Sequence, residues 1–209
     1  MAAKIVIAGI GPGHPDYVPP ITQRAIREAT VLVGSRRALA TFANSSQIQV
    51  EITGKLSAVV DAIKFHYQTQ QVTVMVSGDP GFYSLLPYLL KHFNSDGIEV
   101  LPGIGSMQTA FCRAKTAWHD AQLLSLHGRG LKDVGDVLAK PGKVGFLTDD
   151  LHGPDVIARH LLELGWPNCP VYLCEKLSYP DERAVKTDLR SAAKEQGFAH
   201  GIMVVMGYA

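Results

Sequence analysis

Three times in its first half this chain runs through a short apolar stretch and stops at a turn of glycine and proline. Residues 4–8 meet Gly9-Ile10-Gly11-Pro12-Gly13, residues 72–76 (Val-Thr-Val-Met-Val) meet Ser77-Gly78-Asp79-Pro80-Gly81, and residues 98–101 (Ile-Glu-Val-Leu) meet Pro102-Gly103-Ile104-Gly105-Ser106. A strand that ends in such a turn and reopens as a helix leaves backbone N–H and C=O groups at the carboxyl edge of a parallel sheet. Small ligands bind there in open α/β sheets. The three joins therefore predict a sheet with a ligand edge.

The rest of the first half supports that reading. Further strands are predicted at 31–33 and 48–52, and Pro19 and Pro20 suit the first turn of a helix over about 21–29. Leu56, Val59, Val60, Ile63 and Tyr67 share one helical face, and so do Met107, Ala110, Phe111 and Ala114. The character changes at about 115–120, after which strands are predicted at 123–126, 144–147 and 171–174. Between the last two lies a helix with Ile157, His160, Leu161 and Leu164 on one face, closed by Gly165 and Pro167. Residues 176–187 read as extended, 188–194 as helix and 202–206 as a last strand. Strands separated by helices make an α/β protein. We expect two α/β domains with mostly parallel or mixed sheets, at 1–117 and 118–209, and the cleft between them is the default ligand site.

Composition narrows the function classes. Lys plus Arg (20) nearly balances Asp plus Glu (19), so no basic field recruits nucleic acid, and an anionic ligand needs a local cluster of cations. Cys112, Cys169 and Cys174 have spacings that match neither a disulfide framework nor a zinc knuckle, and read as reduced structural residues. No metal site is expected. Neither a signal peptide nor a membrane-length apolar stretch is recognisable, which points to a soluble cytoplasmic protein.

Each motif has a structural reading beside the functional one. In Gly9-x-Gly11-x-Gly13 the third glycine is one residue early for a dinucleotide fingerprint, and His14 stands in its place. Within Ser77-Gly78-Asp79-Pro80-Gly81-Phe82-Tyr83-Ser84, Asp79 either caps a helix beginning near Tyr83, or orders the loop and accepts hydrogen bonds from a ligand. Ser35, Arg36, Arg37, Arg113, Arg129 and Arg183 are candidates for carboxylate capture, although most arginines taken singly are simply solvated. His127 and Arg129 stand out because they follow directly on a strand, at its exit into a glycine-rich loop. A hydrolase is disfavoured by the lack of a Gly-x-Ser-x-Gly elbow or paired carboxylates.

In their order along the chain these motifs resemble the tetrapyrrole (corrin/porphyrin) methylase family. The resemblance rests on the three turns, on Val33-Gly34-Ser35-Arg36-Arg37, and on Ser125-Leu126-His127-Gly128-Arg129, Phe146-Leu147-Thr148-Asp149-Asp150 and Glu175-Lys176-Leu177-Ser178-Tyr179-Pro180-Asp181-Glu182. The second-half segments look like the branch that methylates carbon 5 of the corrin ring in cobalamin biosynthesis. The family implies S-adenosylmethionine as cofactor and a homodimer. Carried over residue by residue, its cofactor positions fall on Pro12, Ser77, Gly78, Asp79, Phe82, Ile104, Gly105, Ser106, Leu147, Leu177, Gly201 and Ile202. His14 and Pro19 depart from the family's usual first loop.

The resemblance also implies a corrin-type tetrapyrrole substrate whose carboxylates meet Ser35, Arg36, Arg37, Arg113, Arg129 and Arg183. It leaves open whether the ring carries cobalt. A base collecting the proton displaced from the methylated carbon would be His127, with Tyr179 as second choice. The 209 residues leave no room for the second domain with which some members methylate carbon 15 and decarboxylate, so a separate enzyme is expected as pathway neighbour. Other tetrapyrrole methylases and a non-catalytic corrinoid carrier remain as alternatives.

Overall fold

A computed structural model describes residues 5–126, 130–131, 134–135, 142–198 and 200–207. The chain forms two compact units, Met1–Gly105 and Ser106–Ala209. Each is built on its own five-stranded sheet.

The first unit runs β1 (Ile5–Gly9), α1 (Pro20–Glu28), β2 (Val31–Gly34), α2 (Arg36–Phe42), β3 (Ile48–Glu51), α3 (Leu56–His66), β4 (Val72–Val76), α4 (Leu86–Leu89) and β5 (Ile98–Leu101). Its strands are all parallel, in the order β3-β2-β4-β1-β5. The three interior strands, β1, β2 and β4, are buried along their whole length, which is why they read as largely unbroken apolar runs rather than alternating ones. The edge strands β3 and β5 carry Gln49, Glu51 and Glu99 and are largely exposed.

On one face Ile5, Ile7, Val31, Val33, Val72 and Val74 pack with Val59, Val60 and Ile63 of α3. On the other, Leu32 and Met75 meet Ile26 of α1 and Ala38 and Leu39 of α2. The carboxyl end of α1 is closed by a buried glutamine: Gln47 Nε2 donates to the carbonyls of Ile26 (2.7 Å) and Ala29 (2.9 Å). Orphan carbonyls there would otherwise be left unpaired.

The helix expected from Tyr83 shrinks to the single turn of α4. Pro87, in its first turn, has no N–H to give to the carbonyl of residue 83, and its ring excludes that carbonyl from a helical position. Tyr83 itself takes a left-handed backbone (φ 47°).

The second unit runs α5 (Ser106–Arg113), β6 (Gln122–Ser125), β7 (Val144–Leu147), α6 (Pro154–Glu163), β8 (Pro170–Glu175), β9 (Arg183–Asp188), α7 (Leu189–Ala192) and β10 (Gly201–Val205). Its sheet order is β6-β7-β10-β8-β9. Only β6 and β7 are parallel; β10 runs antiparallel to β7 and β8, and β9 folds back on β8. Phe146, Ile157, Leu161, Val171, Leu173, Leu189 and Met203 form its core.

Helix α5 packs on β7 and β10, where Gly145 leaves room for the Met107 thioether and the Phe111 ring. That packing places α5 in the second unit, whereas the change of character at 115–120 predicts a boundary after residue 117. Helix α6 ends as its sequence indicates. Gly165 is left-handed (φ 88°), Trp166 N–H reaches back to Leu161 O and Gly165 N–H to Leu162 O, both at 3.0 Å. Asp188 caps α7 through the Ser191 N–H (3.0 Å).

The expectation of extended chain over 176–187 holds only from Arg183. Residues 176–182 fold instead into two consecutive turns, with Tyr179 N–H donating to Lys176 O and Glu182 N–H to Tyr179 O, each at 3.0 Å. Lys176 (φ 50°) and Ser178 (φ 71°) are both left-handed, which no strand accommodates. No described helix is long and apolar enough to cross a membrane.

Candidate functional site

In the first unit β4, β1 and β5 are neighbours in that order, so the three glycine turns leave the sheet side by side at its carboxyl edge. Backbone bonds lace them together. Ile10 N–H donates to Val76 O (2.9 Å) and Gly78 N–H to Gly11 O (2.8 Å). Gly11 (φ 75°) and Gly78 (φ 66°) take left-handed conformations that cost other residues about 1 kcal/mol.

The closest approach is among Gly9, Gly78 and Gly103. A Cβ on Gly9 would lie 2.6 Å from Gly78 O and 2.7 Å from Gly103 Cα, and one on Gly103 would lie 2.8 Å from Gly9 Cα. These glycines let three backbones touch. By contrast, a Cβ on Gly105 would meet nothing within 4 Å.

Asp79 fastens the second turn to the third. Its Oδ1 accepts from Gly81 N–H (2.8 Å) and its Oδ2 from Gly103 N–H (3.0 Å), so both carboxylate oxygens order the loops. It caps no helix. Of the other residues expected to contact a cofactor, Ser77 is exposed, while Pro12, Gly78, Phe82, Ile104 and Gly105 are half-buried along this edge. Phe82 stacks edge-on against Tyr83 at 4.8 Å between centroids.

The second unit gathers its candidates at one edge of its own sheet. Leu147 at the end of β7 pairs with Ile202 at the start of β10, and Gly201 pairs with Glu175 at the end of β8. One further rung extends the ladder: Thr148 N–H donates to Gly201 O (3.0 Å) and Gly201 N–H to Thr148 Oγ1 (2.9 Å). The double turn 176–182 starts directly after Glu175, with Leu177 buried and Tyr179 half-buried. Leu147, Leu177, Tyr179, Gly201 and Ile202 therefore lie along one sheet edge. Ser106 is the first residue of α5. His127 and Arg129 lie outside the described residues.

The arginines have varied surroundings. Arg113 makes a two-pronged pair with Glu182, Nε to Oε1 and Nη2 to Oε2 (3.0 Å for the latter). Arg183 bonds Glu175 Oε1 (2.8 Å) and Gly197 O (3.2 Å), and its guanidinium stacks 4.0 Å above the Phe198 ring. Both were expected to meet substrate carboxylates; each is paired here with a carboxylate of this chain. The physical reason is that each has a glutamate within reach of its rigid fork. Arg36, exposed, lies 3.6 Å from Glu51, and Arg37 is exposed on the same helix. Ser35 caps α2, its Oγ accepting from Ala38 N–H at 3.3 Å.

Two carboxylates escaped the sequence reading. Glu182 accepts from Ser178 N–H (2.6 Å) as well as from Arg113, and these bonds hold its carboxyl below the ordinary range against the opposing effect of burial. Asp149, buried after β7, accepts from the N–H groups of Leu151 (3.0 Å) and His152 (2.7 Å) and shapes the loop leading to α6. An Asp two and three residues ahead of the donors it serves, just before Gly153-Pro154, is a legible turn signal. Of the partners of Glu182, Ser178 is four residues away but Arg113 is 69, so its ion pair carries no local signal. Beneath the turn, burial and then the charge of Glu182 push the Cys174 thiol up to about 12. Among the described residues no cluster of three or more His, Cys, Asp or Glu could hold a metal ion.

The profile of the tetrapyrrole (corrin/porphyrin) methylases matches residues 4–193. A probable cobalt-precorrin-7 C(5)-methyltransferase of Methanocaldococcus jannaschii is 30% identical over 195 residues, covering 90% of this chain and 91% of the relative. The cobalt-precorrin-7 C(5)-methyltransferase of Salmonella typhimurium is 30% identical over 179 residues, covering 86% of this chain and 88% of the relative. Among solved structures, the uroporphyrin-III C-methyltransferase of Thermus thermophilus complexed with S-adenosylhomocysteine superposes with a TM-score of 0.77 at 23% identity. That superposition covers 98% of this chain and 92% of the other, and it shows the fold. From the match over most of its length, the chain belongs to the tetrapyrrole (corrin/porphyrin) methylase family.

Proposed function

We propose that this protein is an S-adenosylmethionine-dependent methyltransferase that places a methyl group on carbon 5 of a precorrin-7-type corrin intermediate in cobalamin biosynthesis. The observation that carries the reading is the 30% identity, over 90% of this chain, to an enzyme named for that reaction. Support for the cofactor comes from the shared fold of the Thermus thermophilus relative, whose complex contains S-adenosylhomocysteine.

The residues present suit such a cofactor. Gly105 borders open space where a side chain would stand, so a ligand can lie against the backbone there. The turns around it offer mainly backbone and apolar surface, and the carboxylate of Asp79 is already engaged by two N–H groups. That environment fits a neutral adenine and a sulfonium held without a strong counter-ion. When bound, S-adenosylmethionine supplies an electrophilic methyl group.

The chain's own contribution is positioning and exclusion of water, because displacement at a methyl carbon needs donor and acceptor in line. Backbone at Pro12, Ser77, Gly78, Ile104, Gly105 and Ser106, with the Phe82 ring, is assigned to the cofactor. Leu147, Leu177, Gly201 and Ile202 are assigned to it from the second unit. His127, with Tyr179 as second choice, is assigned as the acceptor of the proton that leaves the ring carbon. The substrate's carboxylates are assigned to Arg36, Arg37 and Arg129; Arg113 and Arg183 hold Glu182 and Glu175. We take the working form to be a cytoplasmic homodimer; light scattering of the purified chain checks the dimer, and cell fractionation checks the location.

The test supplies S-adenosylmethionine with a carbon-13-labelled methyl and a defined corrin intermediate, then locates the label by NMR. Label on carbon 5 supports the reading. Label on another ring carbon makes the chain a different tetrapyrrole methylase, and no label with tight corrin binding makes it a carrier.

A further inference from the structure

The double turn 176–182 is an improbable conformation left to itself. It contains two non-glycine residues with left-handed backbones, Lys176 (φ 50°) and Ser178 (φ 71°), one on each side of buried Leu177. A single residue there is uncommon in proteins, and two around one side chain persist only where surrounding contacts over-determine them.

Those contacts are visible. Glu182, at the end of the turn, takes Ser178 N–H on Oε2 (2.6 Å), which fastens the turn to itself. The same carboxylate takes both prongs of Arg113, which fastens the turn to the end of α5. Lys176 Nζ reaches Asp181 Oδ2 (2.7 Å) across the turn's exposed side. The Arg113 and Glu182 side chains are about a third and a fifth exposed, so solvent screens this pair less than it screens the surface pairs.

We infer that Arg113 and Glu182 are positioning residues of the methyl-transfer site: their ion pair holds residues 176–182 in the strained form that presents Leu177 and Tyr179 at the sheet edge. The inference rests on the methyltransferase reading, in which Leu177 meets the cofactor. It gives Arg113 a role different from substrate capture. The pair touches neither reactant and acts through the turn.

The experiment uses the full chain and its Glu182→Gln variant, which keeps the side chain's shape and removes its charge. Hydrogen exchange of the free protein reads the turn, and S-adenosylhomocysteine titration with steady-state kinetics reads the site. Exchange at residues 176–182 should quicken, and S-adenosylhomocysteine should bind about tenfold more weakly, the scale of one charged hydrogen bond. KM for S-adenosylmethionine should rise with kcat at saturation nearly unchanged.

A second variant gives a sharper readout. Glycine adopts the left-handed region without penalty, so Ser178→Gly added to Glu182→Gln should recover most of the lost affinity, a rescue that general destabilisation does not produce. Arg159→Ala breaks the Arg159–Asp155 pair on α6 in the same unit and should leave affinity as it was. If wild type binds S-adenosylhomocysteine and Glu182→Gln binds it equally well, the pair is structural only and the inference falls. If quickened exchange and lost affinity are not rescued by Ser178→Gly, the strain argument is overturned. Failure of the wild type to bind refutes the methyltransferase reading itself, and the positioning role with it.

Discussion

Replacing Gly9 by alanine measures how tightly the three sheet-edge turns are packed. The new methyl would sit 2.6 Å from Gly78 O, 2.7 Å from Gly103 Cα and 2.7 Å from Gly103 N. Non-bonded heavy atoms prefer about 3.5 Å or more, so each contact is short by roughly 0.8 Å. All three neighbours are backbone atoms, which no rotamer change can move. Overpacking of this kind costs about 1–3 kcal/mol, and the absence of any side-chain relief puts Gly9→Ala at about 3.

Alanine also restricts the unfolded chain, which returns about 0.5–1 kcal/mol. The net loss is then about 2 kcal/mol, or a fall of about 10 °C in the Tm of a unit of this size. Thermal melts followed by circular dichroism read it directly. Gly105→Ala is the matched comparison, because its methyl meets nothing within 4 Å. It should melt within about 2 °C of wild type, as surface substitutions do. Yet it should weaken S-adenosylhomocysteine binding by about tenfold or more, since the methyl fills the space assigned to the ligand. A Gly9→Ala protein that melts with the wild type would refute the packing argument, and wild-type affinity in Gly105→Ala would remove the ligand from that turn.

Other outcomes follow from named contacts. Asp79→Ala frees the N–H groups of Gly81 and Gly103 and should cost about 1.5–3 kcal/mol in urea unfolding, the usual range for bonds to a charged acceptor. Glu182 has a folded pKa below its ordinary 4.5, first through its bond with Arg113. Its stabilising contribution is therefore complete above about pH 4.5 and is lost as pH falls through the lower folded value. Urea midpoints of wild type should drop more steeply below that pH than those of Glu182→Gln; parallel curves would contradict the sign. Of the three thiols, Cys112 is exposed whereas Cys169 and Cys174 are buried. Ellman's reagent at pH 8 should therefore modify Cys112 in the native protein and all three only in denaturant.

Much of the first unit was readable along the chain because its information is local. Unbroken apolar runs in β1 and β4 reflect burial on both faces, and a Gly/Pro turn ends each strand within a few residues of where it begins to bend. The same holds for the end of α6, where Gly165 and Trp166 close the helix with bonds spanning three to five residues. The reading failed where local signals compete. Residues 176–182 carry a local turn signal, Pro180-Asp181, since Pro180 has no N–H to give a strand ladder; the ion pair of Glu182 with distant Arg113 is the part that no segment contains. The helix expected from Tyr83 yielded to Pro87, a restriction that is itself visible in the sequence.

Alternation of strand, turn and helix, and the residues able to stand at a sheet edge, are properties of short segments, because backbone geometry is decided by a residue and its near neighbours. Which edges come together is not. The contact of Gly9, Gly78 and Gly103 exists because β4 and β5 flank β1, an order that no segment contains. A long arginine can answer a substrate's carboxylate or one of its own chain's with equal chemistry. Only the fold, by bringing Glu182 to Arg113 across 69 residues and Glu175 to Arg183 across a hairpin, decided which it meets.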